Sequence, residues 1–158
     1  METTVTNDKL VDVLNDLVRI NNDRIAGYEK AVNEAELEDV DLKALFNRFA
    51  DESRTYRDEL SREIVSLGGT PTDETTTSGK FYRVWMDIKA AFSGKDRKAI
   101  LENCEFGEDA AQEAYQTALE SDATMTTDVR QLISTQKSKL KDSHDAVKKY
   151  RDLHASLS

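Results

Sequence analysis

Glu108 and His144 are the side chains in this 158-residue chain best suited to chemistry. Glu108 opens Glu108-Asp109-Ala110-Ala111-Gln112-Glu113-Ala114-Tyr115, an acidic pair within a run that reads as a buried helix, and His144 follows 36 residues later. A carboxylate with an imidazole is a metal-ligand pair, and an acidic pair in an apolar setting has the makings of an acidic active site. The stretch has an echo 87 positions earlier, Asn21-Asn22-Asp23-Arg24-Ile25-Ala26-Gly27-Tyr28, in which the tyrosines align.

Helical periodicity supplies the frame for these residues. The single proline and six glycines permit long helices almost everywhere. Leu10, Leu14, Leu17, Asn21, Arg24, Tyr28 and Ala31 fall on one stripe at spacings of three and four, predicting a helix from about residue 6 to 37 with Thr6 as N-cap. Leu42, Leu45 or Phe46, Phe49, Ser53, Tyr56 or Arg57, Leu60 and Ile64 predict a second from about 41 to 67, capped by Asp39 and closed by Gly68-Gly69. The threonine-rich stretch around Pro71 is loop. Phe81, Trp85, Ile88 and Phe92 then mark a short helix over about 79 to 92, with Tyr82 and Met86 beside its aromatic face. That face is expected to pack on the bundle and to serve as the surface for self-association or a protein partner.

Two further stripes follow. Leu101, Cys104, Glu108, Ala111, Tyr115 and Ala118 predict a helix over about 96 to 121. Val129, Ile133, Gln136, Leu140, His144 and Val147 predict another over about 126 to 155, capped by Thr126. The expected fold is all-α, a single four-helix-bundle domain over 1–158 with a short fifth helix in its long connection.

The offset of 87 aligns the first hairpin with the second. Leu14 meets Leu101, Tyr28 meets Tyr115, Ala31 meets Ala118, Asp41 meets Asp128, Leu45 meets Leu132 and Asp58 meets Asp145. Short links make each pair an antiparallel hairpin, and the long crossover carries the chain back so that the second and third long helices run parallel. Asn21 and Arg57 lie 18 residues either side of Asp39, and Glu108 and His144 lie 18 either side of Thr126. These four are expected level with one another and inward-facing, where polar groups must pair or bind something.

Composition removes several function classes. A net charge of −9 and a pI of about 4.8 argue against nucleic acid. No apolar run approaches the roughly 20 residues of a membrane span. The N-terminal residues lack the features of a signal peptide, so a cytoplasmic protein is expected. Cys104 is the single cysteine, sits on a core stripe and reads as packing. Phosphate loops, dinucleotide fingerprints and cysteine clusters are absent from the sequence, and Ser143-His144-Asp145 is no triad because helical neighbours in sequence do not face one another.

The duplicated hairpin, long crossover and polar mid-layer resemble the ferritin-like superfamily, which includes rubrerythrin and bacterioferritin. Gly27-Tyr28-Glu29-Lys30-Ala31, Gly68-Gly69-Thr70-Pro71, Trp85-Met86-Asp87-Ile88-Lys89, Gly107-Glu108-Asp109-Ala110-Ala111 and His144-Asp145 are similar to a group of small bacterial four-helix proteins carrying a domain of unknown function. The closer resemblance implies no activity, and the wider one suggests a stress-related setting. The superfamily's di-iron centre takes one Glu from each first helix and a Glu-x-x-His from each second. The corresponding positions here are Asn21 and Glu108, then Arg54 and Arg57, then Lys141 and His144. Three cations among six ligand positions do not make a dinuclear iron site.

The resemblance therefore implies a non-catalytic bundle without a cofactor, in which Arg54 or Arg57 pairs with Glu108 in place of iron and His144 is a core residue satisfied by a neighbour. Its partner is expected to be a second copy, as a dimer, or another protein. The alternative is an iron-binding protein or oxidase with an atypical centre built from Glu108, His144 and one of Asp23, Glu52 or Glu105. A small-molecule pocket inside the polar layer is the third reading.

Overall fold

The computed structural model describes residues 2–34, 40–77, 79–94 and 97–157, with side chains except at 2–6, 34, 80, 89, 91–94 and 154–157. Among the described residues the chain forms helices α1 (Glu2–Glu34), α2 (Val40–Ser66), α3 (Gly79–Gly94), α4 (Arg97–Glu120) and α5 (Thr127–Leu157). α1 packs chiefly on α2 and α4 on α5. The architecture is the expected bundle of two hairpins with a helical crossover. α1 starts earlier than the sequence suggests and runs through Thr6, so that residue is not its cap. Thr126 does cap α5, its Oγ1 accepting from the Val129 N–H at 3.2 Å. The Asp39 cap and the predicted boundaries at 37 and 96 fall outside the described residues.

α2 ends as its glycines require. Gly68 takes a φ of 87°, its N–H reaches the Val65 carbonyl at 3.0 Å, and the Gly69 N–H reaches the Ile64 carbonyl at 2.9 Å. These paired reverse bonds satisfy carbonyls that the last turn would otherwise leave open. Gly69 is held by contact rather than conformation, since a Cβ there would sit 2.7 Å from Val11.

The chain then climbs back along α1. The Asn15 amide donates to the Thr70 carbonyl at 3.1 Å and accepts from the Thr72 N–H at 2.9 Å. Asn22 donates to the Glu74 carbonyl at 2.9 Å, and the Thr76 N–H donates to Asp23 at 3.1 Å. The α1 partners advance from 15 to 23 as the crossover advances from 70 to 76, so this segment runs parallel to α1. α4 crosses α1 in the opposite sense, because Asn21 meets Tyr115 while Tyr28 meets Glu108. α2 and α4 are therefore parallel, as the long crossover implies.

The apolar stripes close into two clusters. One gathers Leu10, Leu14, Leu17, Leu60, Ile64, Ile133 and Leu140. The other gathers Tyr28, Phe46, Phe49, Trp85, Ile88, Leu101, Cys104 and Val147. Cys104 is fully buried there, consistent with its reading as packing.

α3 lies over the groove between α1 and α4, so the aromatic face of this helix packs on the bundle, as its stripe predicts. Trp85 is 1% exposed, with its ring against Gly27 on one side and Gly107 on the other. It stands edge-on to Tyr28 at 5.3 Å between ring centroids, and Phe81 is half-buried beside it. Of the residues expected at an interface, Met86 is exposed and Tyr82 partly so, and the Phe92 side chain is not among those described.

A Cβ on Gly27 would come within 2.4 Å of the Trp85 ring, which has no flexible end to move aside. Gly27→Ala is expected to destabilise the fold by about 1–3 kcal/mol in urea denaturation. Combined with Trp85→Phe, the total loss should be smaller than the sum of the two single losses. Simple additivity would show that the ring does not confine this glycine.

Candidate functional site

Arg24 organises the polar layer. It lies on the α1 stripe one turn after Asn21 and one turn before Tyr28, so the periodicity that buries those residues buries it too. Both Arg24 and Glu108 are fully buried, and the Arg24 Nη2 donates to Glu108 Oε1 at 2.8 Å. The Tyr28 hydroxyl donates to the same oxygen. Rings complete the lining, with the Arg24 guanidinium carbon 5.4 Å from the Tyr28 centroid and 5.9 Å from that of Phe49.

From Arg24 a chain of hydrogen bonds runs outward in one direction. Arg24 Nη1 donates to Ser53 Oγ, and Ser53 Oγ donates to Asn21 Oδ1 at 3.0 Å. The Asn21 amide donates to the Tyr115 hydroxyl at 2.9 Å, and that hydroxyl donates to Gln136 Oε1 at 2.7 Å. Gln136 Nε2 ends the chain on Glu59 at 3.1 Å and on the Tyr56 carbonyl at 3.2 Å. All four long helices contribute a member, and aligned donors of this kind polarise one another.

The protonation states follow from burial and charge. Burial is the largest influence on Arg24 and opposes its charge, but Glu108, Tyr28 and Glu52 together outweigh it and raise the guanidinium above its ordinary pKa. Burial, reinforced by the Glu108 charge, pushes both the Tyr28 phenol and the Cys104 thiol well up. The Tyr115 phenol is raised by burial against the pull of its bond from Asn21, and the Tyr56 phenol by burial with the charge of Glu52.

The expected partner of Glu108 was wrong in register. Arg54 lies at the α2 edge, bound to Glu29 and to Asp51 at 2.5 Å, and Arg57 bonds Asp58 at 3.2 Å. The inward positions of the second helices are each one residue earlier: Ser53 and Tyr56 on α2, Leu140 and Ser143 on α5. Asn21 is accordingly level with Ser53, not Arg57. Lys141 points outward to Asp145 at 3.2 Å. His144 sits at the α4–α5 seam rather than in the core, 2.8 Å from Asp109, 3.1 Å from Asp145 and 3.8 Å from Glu105.

Of the alternative ligand set Glu105 stays near His144, at 3.8 Å, and the same geometry disperses the others. Asp23 holds Thr76 of the crossover, Glu52 accepts from Ser143 at 2.8 Å between α2 and α5, and Glu105 pairs with Arg151. Among the described residues no group of three or more His, Cys, Asp or Glu is placed to hold a metal ion. None of the described cavities is lined by Glu108 or Arg24. Arg24 escaped the sequence-based pairing although it lay on the stripe. A charged residue at the centre of an apolar stripe was the signal.

The side chains at the inward positions do not suit a di-iron centre. They are Asn21, Ser53, Tyr56, Glu108, Leu140 and Ser143, with a single carboxylate, one of whose oxygens already takes Arg24 and Tyr28. Glu108 Oε2 and Arg24 Nε are buried without a hydrogen-bond partner among the described residues, but one free carboxylate oxygen beside a guanidinium cannot supply a bridging ligand set.

A family model described as a domain of unknown function, DUF2383, matches residues 9–121. No curated protein matches the chain. Among solved structures, a point mutant of Dps1 from Mycobacterium smegmatis superposes with a TM-score of 0.75 at 14% identity, covering 92% of this chain and 97% of that one. A ferritin-like di-iron-carboxylate protein from Bacillus anthracis superposes with a TM-score of 0.60 at 17% identity, with 96% of each chain covered. At these identities the likeness establishes the fold, which is ferritin-like.

Removing one member of the central pair strands the other. Arg24→Met is expected to destabilise the protein by about 3–5 kcal/mol in chemical denaturation, and Arg24→Met with Glu108→Gln by distinctly less. The phenols give a pH signature. Tyr28, Tyr56 and Tyr115 have folded-state pKa values above the unfolded value, so their contribution is intact below about pH 10 and is lost as pH rises through the folded values. Absorbance at 295 nm should show these three phenols un-ionised until the chain unfolds. Ionisation of all three in the folded protein near pH 10 would contradict the burial described here.

Proposed function

The chain belongs to the DUF2383 family, and from that premise we propose that it is a ferritin-like bundle in which a buried ion pair occupies the place of a di-iron centre and which acts by association, with itself or another protein, rather than by catalysis. The observation that carries this reading is the Arg24–Glu108 pair, fully buried at 2.8 Å. A guanidinium brings the positive charge that a carboxylate in this position requires, but it neither changes oxidation state nor opens a coordination position. The remaining inward positions carry an amide, hydroxyls and an aliphatic chain; Ser53 donates to Asn21, Asn21 to Tyr115, and Ser143 to Glu52.

The surface that supports association is the outer side of α3 and α4. Met86 on α3 and Phe106 on α4 are 50% and 62% exposed, and Phe106 shares a shallow cavity with Val84. Phe106 meets partly exposed Val84 across the two helices and Met86 adds a separate exposed apolar side chain on α3; apolar exposure of this kind is characteristic of protein contact sites. The other large exposed apolar residues, Val40, Val65 and Leu153, lie at or near helix ends.

Untagged protein equilibrated anaerobically with Fe(II) and desalted should retain well below one iron per chain, with no difference between the parent and Glu108→Ala. Retention of stoichiometric iron that disappears in Glu108→Ala would replace this reading with the metal-binding one. Met86→Glu with Phe106→Glu should lower the mass seen by light scattering, or abolish partner capture, while leaving the circular dichroism unchanged. An unchanged mass and partner set would remove the association surface.

A further inference from the structure

The groove between α1 and α4 has two halves related by the internal repeat, and the chain covers only one. Around Gly27, Ala31, Cys104 and Gly107, α3 seats Trp85 and Ile88. A shift of 87 positions exchanges those four residues for Ala114, Ala118, Leu17 and Ile20. These line a half-open cavity of about 600 Å³, whose remaining wall is the crossover at Thr76, Gly79 and Phe81. Among the described residues no helix covers this half.

Among the described residues the lining of the cavity is mostly apolar, and Asp16, paired with Arg19 at 2.9 Å, is the single ionisable one. Ser121 also lines it, with its hydroxyl oxygen buried and without a hydrogen-bond partner among the described residues. A buried hydroxyl left in that state is unfavourable, and rotation of the Ser121 side chain toward a donor or acceptor held in the cavity relieves it. The covered half shows what such a surface accepts: an indole ring and a branched aliphatic chain, with no charge. Walls on three sides suit a compact molecule better than a helix, which needs a groove open at both ends.

We propose that the open half of the α1–α4 groove binds a neutral aromatic or aliphatic small molecule, seated on Leu17, Ile20 and Ala118 with one hydrogen-bonding group directed at Ser121. The volume lies within the range of small-ligand sites, about 300–1,000 Å³. The site is separate from the polar layer and involves neither Arg24 nor Glu108.

N-phenyl-1-naphthylamine, a neutral aromatic amine with one N–H, is a suitable probe. Fluorescence titration of the full chain should show saturable binding of one molecule per chain. Ala114→Phe, which fills the cavity from its wall, should weaken binding about tenfold or more, and Ser121→Ala about threefold to tenfold, with unchanged circular dichroism. Ala114→Leu, a smaller change, tests the same wall should the phenylalanine variant fail to fold. The anionic 1-anilinonaphthalene-8-sulfonate should bind more weakly than the neutral probe. Absence of saturable binding, or binding indifferent to both wall substitutions, would overturn the proposal. So would wall variants that change the mass in light scattering but not probe affinity, because the cavity would then be a contact for another protein.

Discussion

The buried pair of Arg24 and Glu108 is the constraint to which the rest of the interior conforms. Taking two charges out of water is unfavourable, and mutual attraction repays it only when the remaining hydrogen-bonding capacity is also met. Here Glu108 Oε1 accepts from Tyr28 as well as Arg24, and Arg24 donates onward to Ser53, so that most of that capacity is met and Glu108 Oε2 and Arg24 Nε are left over among the described residues. Each further member exists to satisfy the one before it, until the chain ends on Glu59 at the bundle's edge. An apolar core would tolerate sliding of one hairpin against the other. A directional chain with members on α1, α2, α4 and α5 does not, because a one-residue slip would strand several buried groups at once.

The internal repeat explains why that chain runs where it does. Both repeats carry a tyrosine two turns after a polar residue on the same helix face, Tyr28 after Asn21 and Tyr115 after Glu108. Across the antiparallel α1–α4 contact each tyrosine reaches the polar residue of the other repeat: Tyr28 to Glu108, and Tyr115 to Asn21. The two contacts are equivalents under the offset of 87, so the symmetry inferred from the sequence is present in the hydrogen bonding itself. α3 breaks that symmetry by lying on only one half of the groove, where Gly27 and Gly107 let an indole approach closely.

Helix count, hairpin pairing, parallel α2 and α4, and the polar layer were legible in the sequence because each depends on periodicity or connection length. The α2 stop was legible because glycine marks it chemically. Facing residues were not, because counting from a turn fixes levels only to within a residue or so while a single residue rotates a side chain by about 100°. That rotation separates Arg57 at the surface from Tyr56 in the core, and His144 at the seam from Ser143 inside. Ser53 and Gln136 lay on the predicted stripes, yet nothing local shows that they serve Asn21 and Tyr115. Trp85 reads from the sequence as packing on the bundle on a stripe that also suits a partner, since an aromatic stripe does not state what covers it. The glycines opposite it, 58 residues away on α1 and 22 on α4, settle the matter.

An ion pair and a metal centre make opposite demands on a duplicated fold. A dinuclear site uses like ligands at equivalent positions, so duplication assists it. An ion pair needs unlike groups, so the repeats must diverge where they meet. Glu108 faces Asn21 across the repeat, because a second carboxylate there would set two like charges in one layer and leave a single guanidinium to neutralise both. Arg24 is matched by Ala111, fully buried, and a second arginine would bring another cation and more volume into a closed core. Ser53, which accepts from Arg24, is matched by Leu140, since Ala111 makes no side-chain hydrogen bond that α5 would need to answer. The departures from the repeat at these three pairs thus have one cause, the replacement of a symmetric requirement by a complementary one.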